Sequence, residues 1–219
     1  MKIVKFEFSL FGINTYLVYD PATLKGAIID PGMINEEEEH AMADFIDQHG
    51  LNITHIINTH LHVDHAAGNK FASETFKAPI FAHSEDEFLG KRLQMQAEAF
   101  GLMEKIDNVS LTSYLTDGER IEIGEGVLQV IHVPGHSPGS IALYDPDGGY
   151  VIAGDALFAG SVGRTDLPGG DMNVLLKAVK DKLFALPDET VVYAGHGSET
   201  TIGTEKSTNP FFSYRPGGD

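Results

Sequence analysis

Cysteine is absent from the 219-residue chain, so neither a disulfide bond nor a thiolate metal site can form. Basic residues are also scarce. Fifteen lysines and arginines stand against 32 acidic residues, which gives a formal net charge of −17 at pH 7. A surface of that sign disfavours nucleic acids and anionic membranes as partners, and no oligomeric state is predicted.

Long apolar runs are missing as well, and none approaches the length of a membrane span. The first residues, 1–6, alternate polar and apolar like a strand and lack the apolar core of a signal peptide. We therefore expect a cytoplasmic protein without a membrane partner. With 42% hydrophobic residues and no low-complexity tract, the chain predicts a single domain over residues 1–219.

Four side chains that can bind metals are concentrated in one short stretch, Thr59-His60-Leu61-His62-Val63-Asp64-His65. The largely apolar run 53–57 before it predicts a buried strand that ends at this stretch. An extended chain projects alternate residues to one side, so His60 and His62 can converge, and a following turn brings Asp64 and His65 to a second centre. Imidazole nitrogens with carboxylate oxygens suit zinc or another first-row divalent metal better than calcium or magnesium.

Three later apolar strands each end close to another potential ligand with glycine beside it. His136 lies in the turn Val133-Pro134-Gly135-His136, Asp155 follows Gly154, and His196 stands between Gly195 and Gly197. Glycine and proline fix such turns and allow a close approach of the backbone. Any one of these residues could simply face water, but together they complete the first cluster.

The remaining pattern alternates strands and helices. The predicted strands cover residues 2–8, 15–19, 26–29, 53–58, 78–81, 120–123, 126–132, 140–144, 149–152 and 190–193. The predicted helices cover 36–49, 66–76, 84 to about 105 and 171–186. Each half runs from strands to a helix and back to strands, so we expect two stacked sheets with helices outside. In the helix from Ser84, helical spacing makes Phe88, Leu89, Met95 and Phe100 either core residues or part of a lid over the site, and we expect the core, the usual place of such an apolar face.

Taken in order, His60-x-His62-x-Asp64-His65, His136, Asp155 and His196 resemble the metallo-β-lactamase superfamily over essentially the whole chain. The resemblance implies an α/β fold, a four-layer αββα sandwich, with a two-metal site at one edge of the sheets. It also implies that His60, His62 and His136 hold one metal and that Asp64, His65 and His196 hold the other. Asp155 would bridge the two ions.

Within that superfamily, Gly154-Asp155-Ala156-Leu157-Phe158 and Gly163-Arg164-Thr165-Asp166 are similar to the glyoxalase II-like branch, in its short bacterial form. Full-length glyoxalase II has a further C-terminal helical domain that supplies glutathione-binding residues, and we expect no such domain here. The basic residue of that family is matched by Arg164, while its tyrosine has no match. Arg164 is a candidate to bind a substrate carboxylate, and a structural pair with Asp166 or Asp171 is the alternative.

The chemistry implied by this resemblance is metal-dependent hydrolysis of a thioester, such as a hydroxyacylglutathione, by a metal-bridging hydroxide. We expect two divalent ions, zinc first with iron or manganese as alternatives, and a catalytic role for Asp64 in orienting the hydroxide. A thioester suits the site because a thiolate leaves without a strong general acid.

Other activities stay open at this point. A mononuclear iron persulfide dioxygenase of the same fold would use His60, His136 and Asp155. A nuclease is disfavoured by the acidic charge. For His83 and His132, both a structural role and a hydrogen bond to a metal ligand are open.

Overall fold

Two six-stranded sheets pack face to face in the computed structural model, which describes residues 1–213, and helices cover both outer surfaces. The expected four-layer αββα sandwich is confirmed. Residues 214–219 of the predicted domain lie outside the described part of the chain.

The first sheet contains the first six strands in chain order. They are β1 (Lys2–Phe8), β2 (Ile13–Tyr19), β3 (Lys25–Ile29), β4 (Asn52–Ile57), β5 (Ile80–His83) and β6 (Ser113–Leu115). β1, β2 and β3 pair antiparallel, whereas β3, β4, β5 and β6 run parallel to one another. Parallel neighbours end at the same edge of a sheet, so β3 and β4 deliver their following residues to one place.

The second sheet is built from the second half of the chain. Its strands are β7 (Arg120–Ile123), β8 (Gly126–His132), β9 (Ile141–Asp145) and β10 (Tyr150–Gly154), and then, after a small hairpin of β11 (Leu157–Phe158) and β12 (Ser161–Val162), β13 (Val191–Ala194) and β14 (Thr200–Thr201). The order across the sheet is β14-β13-β10-β9-β8-β7. β10 and β13 are parallel, so their carboxyl ends also share one edge.

Within the described residues 1–213, five α-helices lie on the side of the first sheet and three on the side of the second. The former are α1 (Glu36–Gln48), α2 (Val63–Ala66), α3 (Asn69–Phe76), α4 (Glu87–Gly90) and α5 (Leu93–Ala99). The latter are α6 (Met172–Lys182), α7 (Ile202–Thr208) and α8 (Pro210–Ser213). Within residues 1–213, no helix has both the length and the apolar character that a bilayer crossing requires.

Three apolar layers hold the sandwich together. Alternate residues of one strand enter different layers, as in β2, where Leu17 packs towards the α1 side and Tyr16 and Val18 pack between the sheets. In β10, Ile152 faces the first sheet while Val151 faces α6. Both faces of each sheet are thus covered, which explains why the central strands read as continuous apolar runs.

The region after β5 departs from the expected single helix over residues 84 to about 105. It forms a short 3₁₀ turn at residues 84–86, then α4, then α5, and ends at Ala99. Leu89 is buried as expected, but Met95 is 62% exposed and Phe100 is 43% exposed. Their assignment to the core was wrong, because the break before α5 rotates these side chains away from the first sheet. The helix expected over 66–76 is likewise divided into α2 and α3.

Two adjacent residues of α6 allow a direct test of the third apolar layer. Leu175 is fully buried, whereas Val174 is 42% exposed. We expect Leu175→Ala to lower the free energy of unfolding by about 2–5 kcal/mol, because it removes a buried side chain and leaves a cavity. Val174→Ala is the matched control and should stay within about 0.5 kcal/mol of the parent. Urea unfolding of both variants measures the difference, and equal losses would contradict the assigned layer.

Candidate metal centre

Carboxyl ends of strands from both sheets meet at one edge of the sandwich. Direct contacts fix the sheets together there. The Tyr16 hydroxyl donates to the Ala194 carbonyl at 2.6 Å, and the Asn14 backbone N–H donates to the Gly195 carbonyl at 2.7 Å. On the other side, the Ile141 N–H donates to the Thr59 carbonyl at 2.8 Å. The residues that follow β4, β8, β10 and β13 therefore share one small volume.

The first donor set consists of three buried histidines. His60, His62 and His136 are 1%, 6% and 2% exposed. His136 Nε2 lies 3.1 Å from His60 Nε2 and 2.9 Å from His62 Nδ1. Three ring nitrogens thus converge on one point from the loop after β4 and the turn after β8, as a three-histidine metal site requires.

The second donor set lies beside the first. His196 Nε2 is 3.1 Å from Asp64 Oδ2, and His65 Nε2 is 3.9 Å from the same oxygen. Asp64 and His65 come from α2, the turn of helix directly after the first two ligands. Two nitrogens and one carboxylate oxygen suit a first-row divalent ion.

Asp155 lies between the two sets and faces both. Its Oδ1 is 3.3 Å from His65 Nε2, whereas its Oδ2 is 3.6 Å from His136 Nε2 and 3.7 Å from His196 Nε2. Gly195 makes room for this carboxylate. A Cβ at that position would overlap Asp155 Oδ1 and lie 2.6 Å from His65 Cε1. Residue 195 must therefore be glycine for the two sets to share Asp155.

Electrostatics divide the histidines into two groups. Burial holds the pKa of His60 well below its ordinary value, and burial together with His136 lowers the pKa of His62 to about 3. Burial also opposes a charge on His65, but Asp155, Asp30 and Asp64 outweigh it and raise the pKa of His65 well above its ordinary value. His60 and His62 are therefore neutral at pH 7, which is the form that binds metal, and the second set is rich in negative charge.

Several of the donor atoms have no hydrogen-bond partner, as expected for atoms that bind a metal ion. Among the buried atoms of residues 1–213 that lack a hydrogen bond are His62 Nε2, His65 Nε2 and Asp155 Oδ1. Leaving buried polar atoms unpaired costs about 1–3 kcal/mol each. Cations between the histidine nitrogens and the carboxylate oxygens would satisfy His65 Nε2 and Asp155 Oδ1. The structure thus brings together all seven residues expected to bind metal.

Several ligands are held from behind by hydrogen bonds. His136 Nδ1 donates to the Arg164 carbonyl at 2.7 Å, and His196 Nδ1 donates to the Phe11 carbonyl at 3.2 Å. His65 Nδ1 lies 3.0 Å from Asp30 Oδ2. Such contacts fix which ring nitrogen is free for a metal and orient the ring.

Asp30 is a functional residue that the sequence reasoning missed. It follows β3, is fully buried, and accepts hydrogen bonds from both the backbone N–H and the hydroxyl of Thr59 at 2.7 Å. It thereby joins His65 to the loop that carries His60. The signal available in the sequence was a carboxylate directly after the apolar strand β3, which runs parallel to β4.

Arg164 enters the site in two ways. Its backbone carbonyl holds His136, while its guanidinium forms two hydrogen bonds of 2.7 Å to Asp166. Its side chain is 55% exposed and lines a cavity of about 270 Å³ in front of the metal ligands, beside Phe11, Phe100 and Leu167. The structural pair of Arg164 with Asp166, which the sequence offered as an alternative, is therefore present. The guanidinium also lies within reach of a ligand in the cavity.

His83 and His132 lie outside the centre. Their rings stack at 4.1 Å, nearly parallel, and His132 Nε2 donates to the Pro138 carbonyl at 2.8 Å. His132 therefore holds the turn that carries His136 rather than contacting His136 itself. Asp86 holds the same turn, because it accepts hydrogen bonds from Ser137 and Gly139 at 2.7 and 2.6 Å.

Comparison with known proteins agrees with this geometry. The family model described as the metallo-β-lactamase superfamily matches residues 9–196. The chain belongs to that superfamily. It is 34% identical to hydroxyacylglutathione hydrolase GloC of Haemophilus influenzae, over 98% of this chain and 100% of GloC.

Solved structures from the superfamily are similar over nearly the whole chain. BLEG-1 B3 metallo-β-lactamase superposes with a TM-score of 0.85 at 30% identity, covering 97% of this chain and 100% of the other. TTHA1623, solved in a di-iron-bound form, gives 0.84 at 38% identity, covering 95% and 99%. Together with the donor sets, the comparisons assign the protein to the metal-binding hydrolases of the superfamily, without deciding between zinc and iron.

Asp30→Asn tests the support of the second donor set. The amide keeps the shape of the carboxylate but not its charge, so we expect zinc to bind this set about 10–100-fold more weakly. Competition with a chromophoric chelator measures the affinity. Asp20→Asn is the control, since Asp20 is also a buried carboxylate directly after a strand of the first sheet but lies away from the ligands. Unchanged zinc affinity in a folded Asp30→Asn protein would contradict the assigned role.

Proposed function

We propose that the protein is a binuclear zinc-dependent thioester hydrolase of the glyoxalase II type. The observation that carries the proposal is Asp155, whose two oxygens face two complete donor sets, Oδ1 at 3.3 Å from His65 and Oδ2 at 3.6 Å from His136. A carboxylate in that position suits two ions that share a ligand. The similarity to a hydroxyacylglutathione hydrolase supports the choice of substrate class.

Two divalent ions held in this way would lower the pKa of water to about 7 and polarise a carbonyl group. The chain itself supplies the geometry. Asp64 lines the cavity and its side chain is 13% exposed, so it can accept a hydrogen bond from the attacking water and orient it towards the substrate. This is the catalytic role that we propose for Asp64, besides its role as a ligand.

The side chains that line the cavity suit a thioester substrate. Among residues 1–213, the side chains that line the cavity include no lysine, tyrosine or cysteine that could protonate a poor leaving group. A thiolate leaves without such an acid, whereas an amide nitrogen does not. Arg164 supports a substrate with an anionic thiol carrier, because its guanidinium can pair with a carboxylate at the mouth of the cavity.

One alternative has its own observation. His60, His136 and Asp155 lie together, with His60 Nε2 and Asp155 Oδ2 at 3.1 and 3.6 Å from His136 Nε2. Two histidines and a carboxylate on one face of a metal are the ligands of mononuclear iron oxygenases. A persulfide dioxygenase would fill only this position.

Metal removal and replacement separate the two functions. We expect chelated protein to lose at least 100-fold of its thioester hydrolysis and to regain it at two zinc ions per chain, because both donor sets take part. Spectrophotometric thiol release measures the hydrolysis. The alternative instead predicts one iron per chain and oxygen consumption with a persulfide, measured with an oxygen electrode. Hydrolysis that survives in metal-free protein would contradict the proposal.

Arg164→Gln tests the substrate role of the guanidinium. The carbonyl that holds His136 is unchanged by the substitution, so we expect a KM about tenfold higher for a glutathione thioester and little change in kcat. Arg120→Gln, an exposed arginine of β7 outside the metal cavity, is the control. A thioester whose carrier has no carboxylate should show no rise in KM. A fall in kcat alone would indicate that Arg164 serves the ligands and not the substrate.

A further inference from the structure

A second cavity of about 390 Å³ opens beside the metal centre and shares His62, Phe100 and Leu167 with the first. We call it the α5 groove and define its apolar wall as Phe88, Leu89, Met95, Ala99, Leu167 and Pro168. Its volume lies within the range of about 300–1,000 Å³ that is common for ligand pockets. Because the two cavities share residues, a molecule bound at the metals can extend into this groove.

The groove is fixed relative to the ligands by Gln96 of α5. The Gln96 side chain accepts the Val63 N–H at 3.1 Å and donates to the Leu61 and Leu89 carbonyls at 3.3 and 3.0 Å. Leu61 and Val63 flank His62, so α5 is bonded directly to the loop that holds the metal. These hydrogen bonds therefore fix the position of the groove relative to His62.

Several large apolar side chains at the groove and its mouth remain in contact with water. Met95, Phe11 and Phe100 are 62%, 52% and 43% exposed, and the Phe11 and Phe100 rings meet edge to face at 5.5 Å. These residues surround a metal centre that is polar. An exposed apolar group of this kind, rimmed by polar residues, marks a binding site for an apolar part of a ligand.

Arg92 provides a positive charge at the same groove. Its guanidinium has no hydrogen bond or ion pair with any residue of 1–213, although 32 acidic residues are present in the chain. Its neighbours differ in this respect, since Lys91 pairs with Glu87 at 3.0 Å and Arg164 pairs with Asp166. Arg92 is thus available to an anion carried by the bound molecule.

We propose that the α5 groove binds the acyl chain of the thioester and that Arg92 binds a carboxylate at the far end of that chain. This inference rests on the proposed thioester hydrolysis and names its substrate class, the monothioesters of medium-length dicarboxylic acids. The thiol carrier is excluded as the occupant on chemical grounds. A glutathione-like carrier is polar and charged and fits the open side with Arg164, so the acyl chain is the part that matches an apolar groove.

An acyl series on one carrier tests the groove with the zinc-loaded protein. From acetyl to hexanoyl, we expect kcat/KM to rise about threefold to fourfold per methylene, the transfer free energy of one CH₂ group. Ala99→Trp narrows the groove and should reduce the ratio of hexanoyl to acetyl turnover at least tenfold. An equal kcat/KM along the series overturns the proposal. The proposal is also overturned if kcat/KM rises with apolar substituents on the thiol carrier and not with the length of the acyl chain.

Two charge-neutralising variants test the anion. For a six-carbon chain with a terminal carboxylate, we expect Arg92→Gln to lower kcat/KM about tenfold, the usual scale of a charge-assisted hydrogen bond. For the hexanoyl thioester, which has no terminal carboxylate, Arg92→Gln should change kcat/KM by less than twofold. Lys91→Gln is the control, because it removes an adjacent positive charge that does not line the groove. If Arg92→Gln and Lys91→Gln lower kcat/KM for this substrate equally, the effect comes from the overall positive charge and the role of Arg92 is overturned.

Binding of an inert analogue separates this inference from the proposed hydrolysis. In a thioether analogue the carbonyl is replaced by a methylene, so its affinity, measured by calorimetry, does not depend on turnover. If no thioester is cleaved but the six-carbon dicarboxylate analogue binds more tightly than the two-carbon analogue, the hydrolysis fails and the groove stands. If thioesters are cleaved and both analogues bind equally, the groove fails and the hydrolysis stands.

Discussion

The structure depends on one largely buried carboxylate, Asp155, which lies where its two sheets meet. Asp155 follows β10 of the second sheet, yet its Oδ1 lies 3.3 Å from His65, which belongs to the first. An ionised group so placed needs a partner of opposite charge, since burial alone disfavours it. The glycine at 195 and the Tyr16 and Asn14 hydrogen bonds across the sheets all serve this close approach. The contacts that pack the two sheets together therefore also bring the two donor sets together.

The charge of the centre bears on how an acidic protein would bind the anionic substrate that we propose. Asp30, Asp64 and Asp155 surround His65, and they outweigh its burial to raise its pKa. Two divalent ions would bring four positive charges to the same few ångströms and reverse the local sign. A substrate with carboxylates would then be attracted to the centre, where Arg164 at the mouth of the metal cavity and Arg92 in the α5 groove would fix the positions of those carboxylates. The net charge of −17 therefore describes the surface and not the site.

Much of this arrangement could be predicted from the sequence, because it depends on local order along strands. Each candidate ligand lies at or just beyond the end of an apolar strand or in the turn that follows, so the pattern predicts that they share one edge. The two sheets and most strand positions were found in the same way. The division of the ligands into two donor sets with Asp155 between them came from the family resemblance. Asp30 was missed because its role comes from contact with Thr59 and His65, 29 and 35 positions later in the chain, which no local pattern records.

The failure at Met95 and Phe100 has a different physical cause. Helical spacing identifies an apolar face, but the same face can pack on a sheet or line a binding groove. Arg92 precedes α5 with φ near −133°, and after this break Met95 and Ala99 of α5 line the groove beside the metal cavity. The residues placed in the core by spacing became the wall of a groove, while Leu93 and Ala97 of the same helix are buried. An apolar face that the core does not use, set beside a reactive centre and an unpaired arginine, is best explained by the substrate it binds.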